Sequence, residues 1–234
     1  MPENKRLLVI AAHPDDEVLG CAATVHKLVA DGWQAYLVVM SAGVGGRHDA
    51  EGALSATVKA EQAALRDQMQ RAADIIGYAG VDAFSFPDNR MDSVSRTELT
   101  RAIRPVIERI RPSLVLTHHP GDYNWDHSRT YDAVMMAARR NPPDFSPDEI
   151  WLFEVPSSTE RAWQARQPFL PSIYVDVGGS MAVKEQALES YVNELRAPPH
   201  PRSVAGIRTI AVMRGHQVGL PAAEAFELVR RVIS

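Results

Sequence analysis

An unbroken apolar run, Leu7-Leu8-Val9-Ile10-Ala11-Ala12, leads directly into His13-Pro14-Asp15-Asp16-Glu17. Six apolar residues without alternation read as a strand covered on both faces, the kind found in parallel sheets under helices. The chain then changes period. Val18, Cys21, Ala22, Val25, Leu28 and Val29 fall on one helical stripe within residues 17–31, and Gly32 is placed to cap its end. A second buried strand is expected at 35–40, a glycine-rich loop at 41–54, a long helix at 55–76 and a third strand at 81–86. A helix over 96–111 carries Pro105, which predicts a kink or a split. A fourth strand follows at 113–117, then a polar stretch, and then a helix over 127–140 that Asn141-Pro142-Pro143 stops. Strands at 149–155 and 172–177 and helices at 180–195 and 222–232 complete the reading.

Strands that alternate with helices through short links predict an α/β fold, a Rossmann-like and mostly parallel sheet with helices on both faces. One domain over residues 1–234 is expected, with a core at about 5–140 and an extension at about 149–234 that completes the sheet and its cover. Apolar residues make up 45% and charged residues 23%, ordinary globular proportions that argue against disorder. Lys and Arg number 25 against 29 Asp and Glu, a net charge of −4, so no basic surplus points to nucleic acid or an anionic membrane. No apolar run approaches the length that membrane insertion needs. Cys21 is the only cysteine, which excludes an intrachain disulfide and suits a reducing, cytoplasmic setting.

In sheets of this kind ligands bind beyond the carboxyl ends of the strands. Two polar segments fall there. In residues 13–17, His13 leaves the first strand and Asp16 follows in the first helical turn, close enough to fold back. Imidazole and carboxylate so placed suit a metal, and Asp15 is left as a base beside them. Acidic capping of a helix N-terminus is the plainer alternative. Residues 118–127, His118-His119-Pro120-Gly121-Asp122-Tyr123-Asn124-Trp125-Asp126-His127, hold three of the eight histidines in the chain. A second imidazole from this segment completes a two-histidine, one-carboxylate set with an open position, the pattern of a catalytic metal site. His118 and His119 compete for a place in that set; His118, at the strand end, also suits a supporting wall.

These residues resemble the zinc-dependent N-acetylglucosaminyl deacetylases of the LmbE-like, or PIG-L-like, family. The resemblance rests on a strand followed by Ala12-His13-Pro14-Asp15-Asp16-Glu17, on Gly20 in the next helix, and on the Asp126-His127 pair after a later strand. Weaker echoes follow at Lys184, Ala187-Leu188, Arg214-Gly215 and Ala223-Glu224-Ala225-Phe226. It implies Zn²⁺, or Fe²⁺, on His13, Asp16 and His127, with Asp15 as base and then acid. Asp126 joins the catalytic set. Asn124 stands where family members commonly carry an oxyanion-stabilising histidine, and His119 and Tyr123 are its alternates. Leu65 and Gln68 occupy the positions of a common R-x-x-E pair, with Arg66 one place away, so Arg47 is the replacement candidate for substrate contact. Asp122 and Tyr123 are expected to meet sugar hydroxyls or a ring face, Trp125 to stack or anchor, and residues 88–90 to lie on the active face. The implied substrate is a small amino sugar, and homo-oligomeric assembly comes with the resemblance.

Two other classes compete. Phospho-acceptor modules also place paired aspartates after a first strand, but they are about half this length and lack the preceding histidine. A nucleotide-binding module needs a glycine-rich first turn, and here the glycines follow the second strand. An amidase of the same fold, acting on a glycosyl-thiol conjugate, would use the same metal and base.

Overall fold

The computed structural model describes residues 5–41, 56–165 and 167–233. Among these, seven strands and six α-helices occur in the order β1 (Arg6–Ala11), α1 (Asp16–Ala30), β2 (Gln34–Ser41), α2 (Ala56–Ile76), β3 (Tyr78–Phe86), α3 (Arg96–Ile110), β4 (Leu114–His118), α4 (Trp125–Ala137), β5 (Glu149–Phe153), β6 (Ile173–Asp176), α5 (Met181–Glu189), α6 (Val204–His216) and β7 (Ala223–Arg231). They form one sheet of order β3-β2-β1-β4-β5-β7-β6. β1 to β5 run parallel, while β7 pairs antiparallel with both β5 and β6.

The apolar run of β1 divides between two cores because successive side chains leave opposite faces. Leu7, Val9 and Ala11 pack with Val18, Cys21 and Val25 of α1 and with Leu65, Met69 and Ile76 of α2. Leu8, Ile10 and Ala12 pack with Leu99, Ile103 and Ile107 of α3 and with Ala133 and Val134 of α4. Full burial of each larger aliphatic side chain stabilises the fold by about 1.5–3 kcal/mol. The chain leaves β1 toward β2 on one side, and β4 lies on the other. The strand order therefore reverses beside β1, and the ends of β1 and β4 open a crevice there.

Four points of that reading need correction. Residues 223–231 form β7, not a helix: Ala, Glu and Leu favour a helix locally, but pairing with two strands overrides that preference. Helix α6 was not expected; Ser203 caps it by accepting a hydrogen bond from Gly206 N at 3.0 Å. The helix expected over 180–195 ends at Glu189. Pro105 does not split α3, which runs from Arg96 to Ile110 with the proline on its exposed side, where water can satisfy the freed carbonyl. The glycine-rich stretch 42–54, with Arg47, lies outside the described residues.

Candidate metal centre and active cleft

The turn after β1 is tight and strained. Asp15 has φ 104°, in the left-handed region that side chains disfavour. Glu17 holds it there, since Glu17 Oε2 accepts from Asp15 N at 3.0 Å and Tyr191 donates to Glu17 Oε1 at 2.6 Å. Burial pushes the Glu17 carboxyl up to about 8. The same turn brings Asp16 Oδ2 back to His13 N at 2.9 Å.

His13, Asp16 and His127 each offer one ligand atom, all within 4.8 Å of one another. Asp16 Oδ2 lies 3.4 Å from His13 Nδ1 and 3.2 Å from His127 Nε2. Each imidazole meets a carboxylate on its far nitrogen. His13 Nε2 is 3.0 Å from Asp126 Oδ2, whose partner oxygen accepts from Met91 N at 2.9 Å. His127 Nδ1 is 3.2 Å from Asp122 Oδ2, a charge contact off the straight hydrogen-bond line. Carboxylates behind histidines fix their tautomers and raise their basicity, which is how metal-binding imidazoles are held. Electrostatics agree. Burial opposes charge on His127, yet Asp16 and Asp122 outweigh it and push the imidazole up to about 9. His13 is raised for the same kind of reason, against burial, by Asp126, Asp16 and Asp88. For Asp16, burial is outweighed by His127 and His13, and its carboxyl falls well below the usual range. So much buried negative charge draws cations, and the donor set fits a divalent metal.

A second donor set, His13 with Asp88 and Asp126, uses the opposite nitrogen of His13. It is the poorer one, because Asp126 is fully buried and already shared between His13 and Met91 N.

A polar cleft of about 120 Å³ lies over the cluster, lined by His13, Pro14, Asp15, Asp16, Asp88, Asn89, Asn124, Glu194 and Arg202. Asp15 Oδ2 pairs with Arg202 Nη1 at 2.9 Å. Burial raises the Asp15 carboxyl to about 7 against the pull of Arg202, near the value a base needs at neutral pH. A larger and more apolar cavity of about 530 Å³ lies along α6, with no metal-binding cluster among its lining residues.

The other expected residues fall as follows. Asn124 lines the cleft and caps α4, accepting from Asp126 N at 2.8 Å. Tyr123 and Trp125 flank it with 64% and 57% of their surface exposed. Asp122 does not face the cleft. It is buried behind His127, where Ser158, Thr159 Oγ1 (2.7 Å) and Asn124 N (2.8 Å) donate to it. Asp126 is likewise behind His13 and outside the cleft. His118 accepts from Ala12 N at 2.8 Å and stacks on His127 with ring centroids 4.0 Å apart, while burial keeps it neutral, so it is a wall of the site. His119 is occupied at both nitrogens, by Glu227 at 2.6 Å and Gln167 O at 2.9 Å. The cluster therefore takes its second imidazole from His127.

Asp88, 3.2 Å from His13 Nε2, sits where the strand pattern predicts. Arg202, Glu194 and Tyr191 were not expected. They arrive from beyond residue 190, and nothing in their local spacing signals a site.

A deacetylase of diacetylchitobiose from Thermococcus kodakarensis is 26% identical to this chain, over 96% of it and 83% of the relative. A 1D-myo-inositol 2-acetamido-2-deoxy-alpha-D-glucopyranoside deacetylase from Rhodococcus erythropolis is also 26% identical, covering 83% of each. Among solved structures, N,N'-diacetylchitobiose deacetylase from Pyrococcus horikoshii superposes with a TM-score of 0.77 at 22% identity, over 97% of this chain and 84% of that one, which establishes the shared fold. Residues 8–138, more than half of the chain, match the model of the PIG-L family, described as GlcNAc-PI de-N-acetylase, and the chain belongs to that family.

Proposed function

We propose that the chain is a metal-dependent hydrolase that removes the N-acetyl group of an N-acetylglucosamine-type sugar or sugar conjugate. The observation that carries this reading is a carboxylate outside the donor set, Asp15, beside a two-histidine, one-carboxylate cluster under a polar cleft. The relatives' names, deacetylases of diacetylchitobiose and of an acetamido-sugar inositol, support the substrate class.

His13, Asp16 and His127 would hold Zn²⁺, with Fe²⁺ also suited to the set. When bound, the metal supplies a water of lowered pKa and polarises the acyl oxygen. Asp15 accepts a proton from the attacking water as the new C–O bond forms and the carbonyl pair moves onto oxygen. It returns that proton to nitrogen as the C–N bond breaks, which releases the free amine and acetic acid. Asp126 and Asp122 hold the two imidazoles in place. Asn124, Tyr123 and Trp125 lie at or beside the cleft, where sugar hydroxyls and a ring face would meet them.

The test is acetate release from N-acetylglucosamine, its oligomers and its conjugates by zinc-loaded protein. Release from any of these that a chelator abolishes supports the reading. Release of a larger acid from a glycosyl-thiol conjugate, with no acetate from acetamido sugars, replaces it with the amidase. A chain that binds no divalent metal sinks both.

A further inference from the structure

The cleft poses a charge problem. Asp15, Asp16, Asp88 and Glu194 line it, and hydrolysis of an amide puts a further negative charge on the acyl oxygen. Asn124 is partly engaged, its carbonyl capping Asp126 N at 2.8 Å and one N–H of its amide donating to Asn89 Oδ1 at 3.3 Å, and an uncharged amide cannot offset the charge. His13 already meets Asp126, Asp88 and Asp16. The remaining cationic side chain among the described lining residues is Arg202.

Arg202 is firmly set. Its Nε donates to Ser157 Oγ at 2.7 Å and its Nη1 to Asp15 Oδ2 at 2.9 Å. Its backbone N donates to His200 Nδ1 at 3.1 Å, and the next residue, Ser203, caps α6. The segment lies so close to that helix that a Cβ at Gly206 would meet Pro201 O at 2.6 Å and His200 O at 2.8 Å. Nη2 has no partner among the described residues.

We infer that Arg202 is a catalytic residue of this chain, whose guanidinium orients Asp15 and donates from Nη2 to the acyl oxygen as negative charge develops there. The inference rests on the deacetylase reading above. As the C–O bond forms, a proton moves from water to Asp15, so one negative charge leaves Asp15 and one appears on the acyl oxygen. A planar guanidinium between them stays paired throughout, because its donors diverge in a fixed fork. Preorganised donors of this kind need no rearrangement as the charge moves.

The experiment uses the zinc-loaded chain and its R202M and R202K variants, with bound zinc measured in each. R202M is expected to keep its zinc and lose ~10²–10³-fold in kcat on an N-acetyl amino sugar, with little change in KM. On the N-trifluoroacetyl analogue, whose fluorines stabilise the oxyanion, the loss is expected to be clearly smaller. In calorimetry, R202M should lose affinity for the anionic methylphosphonamide of the amino sugar but not for the free amine. R202K should recover part of each effect, and it carries the comparison alone if R202M does not fold. Equal losses on both acyl groups, or unchanged kcat and unchanged phosphonamide affinity, would overturn the inference. A wild-type chain that holds zinc and cleaves neither amide fails at the deacetylase reading instead.

Discussion

The residues of the site differ in what their removal should cost. Asp15 lies outside the donor set and pairs with Arg202; Asp126 supports one donor without lining the cleft. Asp15→Ala should therefore bind zinc as wild type does and lose at least ~10²–10⁴-fold in turnover, the range of a positioned acid–base group. Asp126→Asn should do the reverse, lowering metal affinity by ~10–100-fold and restoring turnover at saturating zinc. Zinc titration beside steady-state kinetics separates the two, and a D126N chain that stays slow at saturating metal would contradict the supporting role. Where these residues gather was partly legible from spacing; their roles came from the resemblance. His13, Asp15 and Asp16 share one turn, and His127 opens a helix after a polar strand end. Asp122 and Asp126 could be placed near the site but not behind it, since spacing does not say which way a loop carboxylate turns. Glu17 reads as an acid at a helix start, yet it is the buried clamp on the strained turn.

At the scale of elements, the approach of α1 to β5 depends on one missing methyl. A Cβ on Gly20 would lie 2.3 Å from the Phe153 ring. Gly20→Ala should thus destabilise the protein by about 1–3 kcal/mol despite its better helix propensity. Phe153→Leu should relieve part of that loss in the double variant, as urea midpoints can measure; additive losses would mean the clash is not the cause. The end of β4 meets β7 through His119 and Glu227, and here stability should follow pH. Burial opposes the charge on His119, but Glu227 and Gln167 O raise its pKa above the ordinary 6.5. That contribution is present below 6.5 and fades as pH rises through the raised value. Burial likewise opposes the charge on Glu227, but His119 lowers its pKa below the ordinary 4.5, so its contribution is present above 4.5 and fades as pH falls through the lowered value. The difference in Tm between wild type and Glu227→Gln should peak between 4.5 and 6.5 and shrink on either side. A difference flat across that range would show the pair to be energetically silent.

Across the whole molecule, legibility falls from the N-terminal to the C-terminal end for a physical reason. Each βα unit before residue 140 carries its own period, so strand and helix announce themselves locally. Beyond it, β7 has helix-forming composition and becomes a strand only because β5 and β6 flank it. Arg202 reaches Asp15 across 187 residues. Two of the faint late echoes in the sequence, Lys184 and Glu224, meet in the structure. Lys184 of α5 pairs with Glu224 of β7 at 2.6 Å and donates to Leu19 O at 2.8 Å. Glu224 in turn accepts from Ala23 N at 3.2 Å and Thr24 N at 2.7 Å. Both side chains are only 5% exposed, so this buried pair pins β7 and α5 to the middle of α1, the helix that begins at the metal cluster. Removing one partner strands the other charge, and Lys184→Met should destabilise the protein by about 3–5 kcal/mol. Glu224→Gln removes the charge and keeps one of the two acceptor oxygens for the α1 amides, so the K184M/E224Q double variant should recover part of that loss. Chemical unfolding of the four chains gives the coupling directly. A double variant whose loss equals the sum of the singles would mean that Lys184 and Glu224 hold α1 separately, through their own hydrogen bonds, and not as a coupled pair.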